Sequence, residues 1–80
     1  MTTAYVQSYI PAEAAAVTPS DTVTNAWSYL YVGTAGNIAV VTEAGQTVVF
    51  KNIVAGSYLW IRTSRVNATS TTATDIIGLR

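Results

Sequence analysis

The 80 residues contain four carboxylates, Glu13, Asp21, Glu43 and Asp75, and four cations, one lysine and three arginines. Two carboxyls facing each other across a cleft could do general acid–base work on a glycosidic bond. Here the four fall in separate linkers or strand ends, and no spacing forces two of them onto one site. A serine nucleophile needs a base beside it. The chain has no histidine, and Lys51 alone does not make a Ser–Lys pair. With neither histidine nor cysteine, the commonest general base, the commonest metal ligand, thiolate metal sites and disulfides are all missing. Gly33-Thr34-Ala35-Gly36 carries the glycines of a phosphate loop, but it joins two expected strands instead of opening a helix. Arg62 and Arg65 are three apart, which on an extended chain puts them on opposite faces. The expectation is a protein that is not an enzyme, with no catalytic residue, no cofactor and no metal. What remains is the chemistry of recognition: tyrosine, tryptophan and arginine, the residues enriched in binding hot spots.

The elements that must position those residues lie mostly in 29–65. Four short runs, 29–32, 38–42, 47–51 and 57–63, are rich in Val, Ile, Tyr, Phe, Trp and Thr, which suit a pleated, half-buried surface. Gly33, Gly36, Gly45 and Gly56 fall between them, where reversals need tolerant backbone. Residues 14–17 form a weak further strand, 18–22 (TPSDT) a turn, and 75–79 a closing strand with Ile77 and Leu79 on one side. Segment 22–28 reads as loop or irregular strand, with Trp27 as a core lid or a contact residue, and 66–74 as a loop or exposed edge. Asn67-Ala68-Thr69 matches a glycosylation acceptor, which carries little meaning without a secretory signal. The predicted fold is all-β, a small antiparallel sandwich or barrel-like meander of about six short strands. It divides into an N-terminal arm, 1–13, and a single β-domain, 14–80.

Alternation assigns the faces. The most economical core is Leu30, Val32, Ile38, Val40, Val48, Phe50, Leu59 and Ile61. That choice leaves Tyr29, Tyr31, Tyr58 and Trp60 on the outer face, with Arg62 sharing the side of Tyr58 and Trp60. Clustered outward aromatics mark an interaction surface, and Arg62 beside Trp60 would cap it. A register slip of one residue on any strand would exchange its faces.

Composition points the same way. Only 10% of residues are charged, against roughly 25% in an ordinary domain, and the net charge is zero. A chain this small is marginally stable unless something staples it, and oligomerisation is the staple left. Tyr5, Val6, Tyr9 and Ile10 would share one side of a helical turn before Pro11 blocks it. Such an aromatic, uncharged arm suits packing on a neighbouring subunit. No apolar run reaches the ~20 residues of a membrane span. The N-terminal residues lack the basic and apolar regions of a signal peptide, and four basic residues balanced by four acidic ones argue against nucleic acid. Synthesis in a cytosol is expected.

The segment 17–79 resembles a family of short proteins of tailed phages and gene-transfer particles, the capsid-associated head spike base or head decoration (cement) proteins. The resemblance rests on Thr18-Pro19-Ser20-Asp21, Tyr31-Val32-Gly33, Val41-Thr42, Gly45, Phe50-Lys51-Asn52, Ala55-Gly56, Arg65-Val66 and Thr71-Thr72-Ala73-Thr74-Asp75-Ile76, in that order and spacing. The chain departs from the pattern at Trp60 and in its tyrosine-bearing arm. The resemblance implies a β-domain that decorates the outer capsid surface of a virion as a homotrimer or homopentamer, made in the bacterial host cytoplasm. Its implied partners are itself, the major capsid protein and a spike or fibre protein, with no nucleic acid and no membrane. A tail or baseplate component, or a glycan-binding module using Tyr58 and Trp60, are the alternatives. The expected interface residues are Tyr5, Val6, Tyr9, Ile10, Tyr29, Tyr31, Tyr58, Trp60 and Arg62.

Overall fold

Among the described residues there are seven strands: β1 (Ala14–Val17), β2 (Tyr29–Thr34), β3 (Gly36–Thr42), β4 (Thr47–Ile53), β5 (Ser57–Leu59), β6 (Thr63–Val66) and β7 (Thr74–Leu79). The computed structural model describes residues 10–80. The strands form two antiparallel sheets, in the orders β1-β7-β2-β5 and β4-β3-β6. The alternation of the sequence sets what each buries. Leu30 and Val32 of β2 and Ile38 and Val40 of β3 are fully enclosed, while Tyr29 and Tyr31 between them stay half-exposed.

Two departures from a simple meander follow from pairings distant in sequence. The last strand, β7, inserts between β1 and β2, pairing Ile76 with both Val17 and Val32. The run 57–63, expected as one strand, is two: Leu59 pairs with Leu30 in one sheet, whereas Thr63 pairs with Thr42 in the other. The chain turns the corner between sheets through Trp60, Ile61 and Arg62, which is why there are seven strands and not about six.

The core holds Leu30, Val32, Ile38, Val40 and Leu59 as expected, and Phe50 and Ile61 pack against it half-buried. Val48 does not belong to it. At 36% exposure it lies at the margin, on a strand that ends its sheet among the described residues. In its place Val17, Trp27, Val66, Ala73 and Ile76 complete the core. Trp27, only 7% exposed, is core and not contact surface. Its indole packs against Gly78, where a Cβ would stand 2.2 Å from Cδ2. A two-way backbone bridge holds Trp27 to Thr63, with N–H to carbonyl distances of 3.1 and 2.9 Å. Upstream, the Ser20 and Asn25 amides donate to the Val66 and Ser64 carbonyls at 2.8 Å, so the segment 18–27 covers the free edge of β6.

The Thr63 hydroxyl is buried without a hydrogen-bond partner, as are Asn25 Oδ1 and Trp27 Nε1. An unpaired buried hydroxyl costs free energy, whereas a methyl of the same shape does not. Thr63→Val is therefore expected to hold or raise stability, by up to about 1 kcal/mol in urea denaturation.

Two carboxylates tie the domain's ends and loops. Asp21 accepts the Thr69 hydroxyl at 2.6 Å and the Ala68 and Thr69 amides at 2.9 and 3.0 Å. The Thr69 hydroxyl bond is the main reason its carboxyl sits below the ordinary 3.8. Glu13 receives the Arg80 guanidinium at 2.8 Å, and that hydrogen bond, then its charge, holds Glu13 below 4.5. Both groups favour the ionised form when folded, so the unfolded chain takes up protons first as the solution is acidified. Their contribution is complete above the ordinary carboxylate values and is lost as pH falls through the folded ones. With no histidine to titrate, melting temperature should be level from about pH 5 to 8 and fall below about pH 4. Asp21→Ala should melt lower at neutral pH and show a shallower acid fall, read by circular dichroism across the pH series.

Candidate interface on the outer sheet face

The β2–β5 ladder places Tyr31 directly opposite Tyr58, and their rings meet edge-to-face with centroids 5.3 Å apart. One step along, Trp60 leaves the strand on the same side and meets Tyr29 edge-to-face at 4.5 Å. Tyr58 and Trp60, two residues apart, stack at 6.0 Å with an interplanar angle of 28°. The four aromatics read from the sequence as outward-facing form one connected cluster. Trp60 is 72% exposed and Tyr58 51%, so much of the rings' surface faces solvent.

The cluster continues across the sheet. Tyr31 pairs with Ile77 and Tyr29 with Leu79 on β7, and these in turn pair with Ala16 and Ala14 on β1. Register thus lines up aromatic, aliphatic and alanine rows on one face, none of them charged. The sequence analysis places the four aromatics on this face but not Ile77, Leu79, Ala14 and Ala16 as their extension. Their alternation was visible, but nothing in it says that β7 lies beside β2.

Beside the cluster is a shallow groove of about 350 Å³ lined by Ser28, Tyr29, Trp60, Ile61 and Arg62. Arg62 borders the aromatics as expected and makes a 3.6 Å ion pair with Glu43, both side chains about two-thirds or more exposed. A pair so long and so solvated contributes little. Arg62→Ala is expected to change stability by less than about 0.5 kcal/mol in urea denaturation. Arg65 instead turns its Nε to Asn67 Oδ1 at 2.7 Å and is half-buried.

Ile10 is 80% exposed at the start of the described chain. Tyr5, Val6 and Tyr9 lie outside the described residues. Ala12 and Glu13 both donate their amides to the Arg80 carbonyl, at 3.0 and 2.7 Å, so the arm departs beside the C-terminal residue. Arg80 also covers the Trp27 ring, its guanidinium carbon 4.6 Å from the centroid.

The carboxylates stay apart, each engaged locally: Glu13 with Arg80, Asp21 with Thr69, Glu43 with Arg62, and Asp75 with the Thr34 hydroxyl at 2.7 Å. Among the described residues, no three of His, Cys, Asp and Glu gather as a metal site. What the surface offers is apolar and aromatic area suited to burial against another macromolecule.

No protein-family model matches the chain, and no curated protein matches it. Among solved structures, it is similar to a chain of the "Capsid of native GTA particle computed with C5 symmetry", GTA denoting a gene transfer agent. The two are 32% identical with a TM-score of 0.81, over 98% of this chain and 92% of the other.

Proposed function

We propose that this chain, which belongs to the same family as that gene-transfer-agent capsid chain, is a structural protein of a phage-like particle that decorates the outer capsid surface as a homo-oligomer. It would cement the shell or seat a spike or fibre. The observation that carries the reading is the likeness to a capsid chain over nearly the full length of both, at an identity that reaches beyond fold alone. The uncharged outer face supports it independently: Tyr29, Tyr31, Tyr58, Trp60, Ile77 and Leu79 form a continuous apolar surface. Such a patch on a small domain marks an interaction site. Contacts of modest individual strength gain when several copies in a ring engage a repeating lattice together.

The test is reconstitution. Particles made without this protein are mixed with the purified chain and separated from free protein by sedimentation. Saturable occupancy at a fixed number of copies per particle is the expected result, and particles that gain resistance to heat or chelator would mark cement over spike base. Absence of the chain from particles at any concentration would remove the reading. Retention on tail-only preparations would move the address to the tail.

A further inference from the structure

Arg62, at the corner between the two sheets, stands where three shallow grooves meet. One borders the aromatic cluster, and one follows the turn between β3 and β4. The third, of about 240 Å³, has Trp27, Glu43, Arg62, Thr63 and Arg80 in its lining. It differs from the other two in what lies beneath it. Thr63 is 2% exposed and Trp27 7%, so both belong to its floor. Each carries a polar hydrogen that nothing receives: the Thr63 hydroxyl and the Trp27 indole N–H are buried without a hydrogen-bond partner. Folded proteins seldom leave such groups unmade, because doing so costs free energy.

The chemistry of these groups says what would satisfy them. An indole N–H is a donor only, and a hydroxyl can donate beside it, so the missing group is an acceptor. The backbone bridge between Trp27 and Thr63 holds the two residues side by side, within reach of one ligand. The rim selects a charged acceptor, since two guanidiniums, Arg62 and Arg80, line the groove against one carboxylate, Glu43. That carboxylate is loosely held. Glu43 meets Arg62 at 3.6 Å with both side chains about two-thirds or more exposed, whereas Arg80 holds Glu13 at 2.8 Å. The Glu43 amide donates to the Arg62 carbonyl at 3.0 Å, so the two backbones stay together when the side chains part. The floor atoms are closed to solvent, so a ligand must part side chains at the rim, and a solvated 3.6 Å pair offers little resistance.

We propose that this groove is a carboxylate-binding site: an aspartate or glutamate side chain of a partner polypeptide displaces Glu43 from Arg62 and accepts the Thr63 hydroxyl and the Trp27 indole N–H. At about 30 Å³ for each water-sized group, the groove admits a glutamate side chain. It shares Ser28 and Arg62 with the groove that borders Tyr29 and Trp60, and so continues the outer face around the corner. A partner seated on the aromatics reaches it with one acidic side chain. That choice of partner rests on the decoration reading above; the carboxylate chemistry does not. Thr63→Val, which holds or raises stability, should then weaken binding.

The chain has two tryptophans, so two indole N–H signals appear in a proton–nitrogen-15 spectrum, and Trp60→Phe assigns them. The probe is glutamate blocked as its N-acetyl N-methylamide, compared with identically blocked glutamine and with inorganic phosphate. Blocked glutamate should move the Trp27 signal downfield and saturate, with blocked glutamine weaker by about tenfold or more. Thr63→Val and Arg62→Ala should each weaken blocked glutamate by about tenfold, whereas Glu43→Gln should tighten it about two- to fivefold by removing the competing carboxylate. Particle occupancy should follow the same order. An unmoved Trp27 signal, an equal response to blocked glutamine, saturation by phosphate alone, or weaker binding in Glu43→Gln would overturn the proposal. Particle occupancy that ignores Thr63→Val and Glu43→Gln would overturn it and leave the docking face standing. A chain that takes blocked glutamate in this order and ignores particles would support it and remove the decoration reading.

Discussion

Gly78→Ala is expected to destabilise the domain by about 3–5 kcal/mol, as much as deleting a buried aromatic. The added methyl would stand 2.2, 2.3 and 2.6 Å from three ring carbons of Trp27. An indole is rigid and cannot yield at those atoms as the end of a flexible chain could. Either β7 moves away from the ring or the ring leaves its seat, and leaving would also undo the Thr63 bridge and the Arg80 cover. A domain of this size has roughly 4–12 kcal/mol of stability in total, so the variant should be partly unfolded near 37 °C. Urea denaturation and near-ultraviolet circular dichroism report both quantities. The mechanism is checked by a cycle: in a Trp27→Ala background, the same Gly78→Ala change should cost less than about 1 kcal/mol, because the two positions interact through one contact. Equal costs in both backgrounds would mean that the indole is not what the methyl meets.

The second large effect is on assembly, with folding left alone. Trp60→Asp places a charge in the middle of the aromatic cluster at a position 72% exposed and outside the strand ladders. Stability should change by less than about 1 kcal/mol, as for other surface substitutions. Particle occupancy should fall by about a hundredfold or more, since a central hot-spot residue is worth 2 kcal/mol or more and each ring loses it in every copy. Val23→Asp, at a position 62% exposed in the segment 18–27, should leave occupancy unchanged. Full occupancy by the Trp60→Asp protein would refute the docking face. Binding of the free chain to an oligosaccharide, lost on Trp60→Ala, would instead favour the glycan reading.

The same cluster shows which parts of the fold local sequence carries. Period-two alternation of Tyr29-Leu30-Tyr31-Val32 and of Tyr58-Leu59-Trp60 states which side chains share a face, because each strand's pleat is a property of its own residues. The two sets then meet as Tyr31 beside Tyr58 and Tyr29 beside Trp60. The all-β class and the turns at Gly45 and Gly56 were likewise legible, since each depends on residue type and short spacing, whereas Gly33 and Gly36 lie inside β2 and β3.

Partners far apart along the chain were decided only by tertiary structure. Nothing local says that β7 slips between β1 and β2, so Ile77 and Leu79 could not be added to the outer face nor Ile76 to the core. Val48 alternates as a core residue should, yet its burial depends on how far the opposite sheet extends, which is not a property of β4. Trp27 sits in a segment with no strand periodicity and becomes core because Gly78, 51 positions later, leaves room for its ring. Pleat direction is fixed residue by residue, whereas enclosure needs two surfaces, and the second is always supplied by another part of the chain.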